Sequence, residues 1–160
     1  MTEAVDSADE DHVVLLDDVP VPADDASDPF VVANERRVAI AYRIGDAEFE
    51  RLGPFAEDDE PFCVVVLSDA AFHQFGPPHD GDLDAHPLAS RGLRPYAAHE
   101  VVNASLVRDS WGPPSDANRR RHFVFTFQDS TFECVATDCT AAGVYGNAEI
   151  ARREAFSLCA

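Results

Sequence analysis

The chain has 160 residues, 30 of them acidic and 12 basic, every basic one an arginine, for a formal net charge of −18. That length suits one domain with a core of ordinary size, and an apolar fraction of 46% with 11 phenylalanines excludes a wholly disordered chain. The field of so acidic a molecule repels phosphate, which argues against nucleic acid or an anionic membrane surface as principal partner, and no apolar run approaches the roughly 20 residues that span a bilayer.

The acid is unevenly placed. Residues 1–60 hold 18 Asp/Glu against 4 Arg, and residues 61–160 hold 12 against 8. Up to Asp28 there are 10 acidic residues and no basic one. Such a stretch repels itself, so 1–30 reads as an acidic, mostly flexible arm ahead of a single β-rich globular domain over 31–160. Within the arm, 1–11 reads as a tail, the apolar run Val13–Leu16 predicts an edge strand at 12–16, and Pro20 and Pro22 end it, leaving 17–30 as a linker-like loop. Met1 to Asp11 lacks a positive segment followed by an apolar one, so no secretory signal is visible and the expected compartment is the cytoplasm. The missing lysine, with 24 alanines and 11 prolines, fits a GC-rich codon usage better than salt adaptation, which would spread the acid evenly.

In chain order, Val38–Ile44 alternates large with small or polar residues and predicts a half-buried strand. Phe49, Leu52 and Phe55 suggest a short helix or turn. Phe62–Leu67 is apolar on both faces, as a central, doubly covered strand would be. Ala97–Asn103 is a further strand. The strongest signal is a hairpin over about 122–137: a two-residue turn at Asp129-Ser130 pairs Phe127 with Phe132, Phe125 with Cys134 and Phe123 with Ala136 on one apolar face. Asp-Ser is a poor type I′ pair, which leaves room for a longer turn. Asn147 caps a short C-terminal helix, whose Ile150 and Phe156 are too far apart in phase to form a wide apolar stripe. The fold class that results is α+β, β-rich, with an antiparallel sheet.

Cys63, Cys134, Cys139 and Cys159 read as buried thiols rather than a disulfide framework, and the C-x4-C of Cys134 and Cys139 lacks the second cluster a zinc site needs. The most site-like stretch is Phe72–Leu88, rich in turn formers, His and Asp. His79 and His86, with an aspartate such as Asp80 and a further ligand from His99 or His122, could supply the set that a divalent transition metal uses. Asn118-Arg119-Arg120-Arg121-His122 is the one dense cationic run. It could meet phosphate, or the acidic arm over residues 3–28 could fold back on it. Glu133 with His122 on one face is the one acid–base grouping, although the two-residue turn separates them by four positions, too far for contact. No nucleophile elbow, dinucleotide fingerprint or phosphate loop is present.

The segment His122-Phe-Val-Phe-Thr-Phe-Gln-Asp129-Ser130-Thr-Phe-Glu133-Cys134 resembles the closing hairpin of small bacterial proteins carrying H-F-x-F-T-F-x-D-S-T-F-E-C. His86-Pro87-Leu88, Arg91-Gly92-Leu93 and Tyr96 add to the resemblance, which spans about 62–137. It implies no activity, and suggests that Asp129, Ser130 and Glu133 form more than a generic turn. The candidate polar site is therefore His79, Asp80, His86, Arg91, His122, Asp129 and Glu133. Two functions compete. One is a non-enzymatic acidic domain without cofactor that binds a basic protein; the other is a metal-dependent enzyme built on the 73–86 loop, with His79, His86 and His99 as ligands.

Overall fold

The structure, a computed structural model, describes residues 10–160, so the tail read at 1–11 falls almost wholly outside the described residues. Two antiparallel sheets face each other. The larger runs β1 (His12–Leu15), β6 (Ala98–Val102), β7 (Arg121–Thr126), β8 (Thr131–Ala136), β5 (Phe72–Gly76); the smaller runs β2 (Phe30–Ala33), β3 (Arg37–Arg43), β4 (Phe62–Ser68), β9 (Asp138–Tyr145). Three α-helices join them: α1 (Phe49–Leu52), α2 (Ser105–Trp111) and α3 (Ala148–Cys159). The architecture is α+β and β-rich, and no described helix is long and apolar enough to cross a membrane.

The core lies between the sheets. Val38, Ile40 and Tyr42 of β3 and Cys63, Val65 and Leu67 of β4 meet Phe123, Phe125, Phe132 and Cys134 of the facing sheet. The Tyr42 ring packs at 6.0 Å from Phe125 and 5.5 Å from Phe127, and its hydroxyl donates to the Pro20 carbonyl at 2.5 Å. Each fully buried phenyl ring contributes about 1.5–3 kcal/mol of transfer free energy.

β3 is buried on both faces rather than half-buried. Its small residues Ala39 and Ala41 lie under α3, which turns Ala151, Ala155 and Cys159 inward. Spacing of four along a helix puts those three on one stripe. Ile150 and Phe156, the residues by which the helix is judged from sequence, point outward. The helix is nonetheless a packed layer, because small side chains let two backbones approach closely. Its start follows the expected cap, with Asn147 Oδ1 accepting from Ile150 N at 3.0 Å.

The hairpin is present, but its register is shifted by two residues. Phe125 faces Phe132, Phe123 faces Cys134, Val124 faces Glu133 and His122 faces Val135. The connection has four residues, Phe127 to Ser130, closed by Phe127 N donating to Ser130 O at 2.9 Å. A shift of two leaves every side chain on its face, so the apolar sorting holds while the cross-strand partners change. The longer connection keeps Phe127 in the core beside Tyr42 instead of in the ladder.

Residues 17–30, read as a linker-like loop, pack against the end of β3, and the last of them, Phe30, already begins β2. Val19, Ala23 and Ser27 are buried; Ala23 N donates to Arg43 O at 2.9 Å, Arg43 N to Ser27 O at 2.8 Å and Gly45 N to Val21 O at 2.9 Å. Buried backbone groups need such partners, and the end of β3 supplies them. Ahead of β1, Asp11 accepts from Ser105 N at 2.5 Å and Ser105 Oγ at 2.8 Å, capping α2 where Ala104 offers no side-chain oxygen.

Candidate functional site

The outer face of the larger sheet is covered by residues 77–97 and by α2, and polar side chains hold this cover in place. Thr131 Oγ1 donates to Pro78 O at 2.8 Å, and Thr126 Oγ1 donates to Arg94 O at 2.6 Å. Gly92 closes a turn at φ 111°, where any Cβ would lie 2.9 Å from the Val13 carbonyl, so only glycine lets the cover reach β1.

At the centre of this face Glu133 of β8 meets two imidazoles. His86 Nε2, from the cover, donates to Glu133 Oε1, and His122 Nε2, from the neighbouring strand, donates to Glu133 Oε2 at 3.1 Å. The two-residue register shift is what makes the second contact. His122 faces Val135, one diagonal step from Glu133, within reach of a long side chain. Burial pushes the Glu133 carboxyl up, but the hydrogen bonds from His122 and His86 outweigh it and hold the pKa at about 2. An ionised carboxylate accepts only, so both Nε2 atoms must carry hydrogen. His86 Nδ1 accepts from Leu88 N at 3.0 Å, which uses both its nitrogens. Nδ1 of His122 has no hydrogen-bond partner among the described residues.

The relay connects two clefts. His86 and Glu133 line one of about 440 Å³ with Gln74, Pro78 and Thr131. His122 lines another of about 440 Å³, between α2 and the entry to β7, with Arg108, Arg119, Arg120 and Arg121 around it. Within that cleft Asn118 is buried and donates from Nδ2 to Gly112 O at 2.8 Å and Trp111 O at 3.1 Å, while its Oδ1 accepts from Arg120 N and Nη1, each at 3.3 Å. The Arg120 guanidinium lies 5.5 Å from the centre of the Trp111 ring. Arg121 is neutralised by a two-pronged bond to Glu100 at 2.8 and 2.7 Å, which raises its pKa further.

A third cleft, of about 510 Å³, has the opposite sign. Asp25, Asp28, Glu60 and Asp129 converge on it from three separate parts of the chain, with Arg43 the one cation among the described residues of its lining. Arg43 bonds Asp25 and the Ala26 carbonyl, and Arg152 pairs with Asp28 at 2.8 Å. Ser27, also in the lining, is 1% exposed, and its hydroxyl makes no hydrogen bond among the described residues.

The residues singled out from sequence thus separate. His86, His122 and Glu133 come together. Asp129 lies on the acidic cleft. Asp80 accepts from the Tyr96 hydroxyl, which lowers its pKa, and Arg91 pairs with Glu10 at 2.7 Å. His79 is exposed beside Asp82 at 3.0 Å, with its Nδ1 accepting from Gly81 N. His99 is buried, with Nδ1 donating to Val124 O at 3.0 Å and Nε2 accepting from Arg94 N at 3.1 Å. Both its nitrogens are used, burial lowers its pKa, and it does not join His79 and His86. Among the described residues no group of three or more His, Cys, Asp or Glu has the placement to hold a metal ion. The described part of the arm, 10–28, pairs with Arg91, Arg43 and Arg152 rather than Arg119–Arg121, and residues 3–9 lie outside the described residues.

Sequence reasoning missed Asp25, Asp28 and Glu60 as one group. The available signal was register: Phe30 faces Ala41 and Arg43 faces Phe62, which brings the residues before β2 and before β4 to one end of the smaller sheet. No protein-family model, curated protein or solved structure matches this chain.

Proposed function

We propose that this protein is a non-enzymatic binding domain that takes a basic segment of a partner protein in the acidic cleft. The carrying observation is the convergence of Asp25, Asp28, Glu60 and Asp129 on one cleft. Asp25 and Asp28 already have arginine partners, so among the described residues Glu60 and Asp129 supply the open acceptors. Guanidinium groups with several donors match such a set. The charge of the whole chain, −18, adds long-range attraction and raises the association rate of a cationic partner.

The test measures binding of a labelled oligoarginine peptide by fluorescence anisotropy, with the full chain and two double variants of equal charge. Glu60→Gln with Asp129→Asn removes the open acceptors; Glu35→Gln with Glu154→Gln removes two exposed carboxylates elsewhere. The cleft pair weakens binding by about tenfold or more, and the distant pair by less than about threefold. Equal weakening by both pairs would mean that bulk charge alone attracts the peptide, and the cleft reading would fall.

A further inference from the structure

The arginine-walled cleft has a separate use. Arg108, which has a partner of its own, and Arg119, Arg120 and Arg121 line one hollow in a molecule of net charge −18, and Glu100 is the one carboxylate among the described residues of that lining. Glu100 is spent on Arg121. Arg120 is aimed by Trp111 below it and by Asn118 beside it, and Asn118 is itself fixed by the carbonyls that end α2. Arg119 is exposed, and among the described residues no hydrogen bond or ion pair engages it. His122 forms the inner wall, its ring oriented by Glu133 through Nε2. The floor is apolar: Val101, Ala104 and Val107 are all buried.

We propose that this cleft binds a small organic phosphate monoester, with the phosphate accepting from the Arg119 and Arg120 guanidinium groups and the organic group on the Val101–Ala104–Val107 floor. Guanidinium forks match phosphate oxygens in pairs, and cations presented from different backbone positions suit an anion with three acceptor oxygens better than a planar carboxylate. The volume, about 440 Å³, is that of a small-molecule site. A long polyanion is disfavoured, because beyond this hollow it meets a net acidic molecule. The site is distinct from the acidic cleft, which borders the far end of β7, and neither proposal depends on the other.

Trp111 is the one tryptophan of the chain and sits beneath Arg120, so its fluorescence reports on the site. Phenyl phosphate and inorganic phosphate serve as probes with the full chain, with calorimetry as a second readout. Phenyl phosphate saturates one site with a Kd below about 1 mM, at least about fivefold tighter than inorganic phosphate because its ring covers the apolar floor. Arg119→Ala, an exposed change that circular dichroism should show to be harmless, weakens phenyl phosphate at least about fivefold. Arg36→Ala, an exposed arginine outside the cleft, leaves the Kd unchanged. Absence of saturable binding by both readouts overturns the proposal. So does an unchanged Kd in Arg119→Ala, or equal weakening by Arg36→Ala.

Discussion

Replacing Glu133 with glutamine removes one negative charge and almost no volume, and its effect follows from the relay. Both carboxylate oxygens are occupied, each by an imidazole N–H. An amide offers one acceptor and one donor, so one imidazole faces an N–H with its own N–H and must change tautomer or lose its partner. A carboxyl held at about 2 against an ordinary 4.5 is worth about 3 kcal/mol to the folded state near neutral pH, at about 1.4 kcal/mol for each pH unit. Glu133 keeps 19% of its side chain exposed, and solvent screening brings the expected loss nearer to about 2 kcal/mol. Because the folded value lies below the ordinary one, this stability is complete above about pH 4.5 and drains as pH falls through about 2. Urea denaturation of Glu133→Gln and the parent, followed by Trp111 fluorescence, should give a difference of about 2 kcal/mol near pH 7, shrinking to under about 1 kcal/mol near pH 3. A difference that stays constant with pH, or one below about 0.5 kcal/mol near pH 7, would refute the reasoning, since the destabilisation would not arise from the ionised carboxylate.

Ala155→Leu forces three extra carbon atoms between α3 and the alanines of β3 and should cost about 1–3 kcal/mol, seen as a lower thermal midpoint; an unchanged midpoint would show that α3 is not closely packed. All four cysteines are buried thiols, and burial pushes Cys63 and Cys134 up to about 12 and raises Cys139 and Cys159 as well. A thiol-specific chromogenic reagent at mildly alkaline pH should therefore find almost no reactive thiol in the native protein and all four in denaturant. Rapid labelling of the folded chain would contradict the packing.

Much of the fold was legible because large apolar residues announce strands. Val38–Ile44, Phe62–Leu67 and the phenylalanine hairpin all form where periodicity places them. What escaped is written in small or polar residues. β9, with Thr140, Ala141, Ala142 and Gly143 at its middle, has no hydrophobic alternation, and Ala142 is an extra residue where the ladder with β4 slips between Val64 and Val65. β5 reads as loop because Phe72 and Phe75 fall on opposite faces and both remain partly exposed. The site followed the same rule. Parity put His122 and Glu133 on one face, but the contact between them depended on the true length of the connection at 127–130, and a loop that keeps Phe127 in the core is decided by tertiary packing. His86 was legible as a residue with chemistry and illegible as a partner, since no local pattern tells where the cover will dock.

The interleaving of the two sheets bears on how the molecule can assemble. β1 finds its partner in β6, so His12 pairs with Val102 and Asp11 caps a helix that begins at Ser105. β4 completes its ladder only with β9. Apart from the β2–β3 and β7–β8 hairpins and the equally long β3–β4 and β6–β7 connections, the ladders join stretches that are distant along the chain, and closing such loops is slow. The hairpin that supplies both His122 and Glu133 is the most local of these units in the larger sheet, so the carboxylate and one imidazole can be in place before β1 or β5 has docked. The first strand, whose partner β6 lies far along the chain, then arrives as a late clasp, and a ribosome-bound chain would hold it unpaired until β6 had emerged.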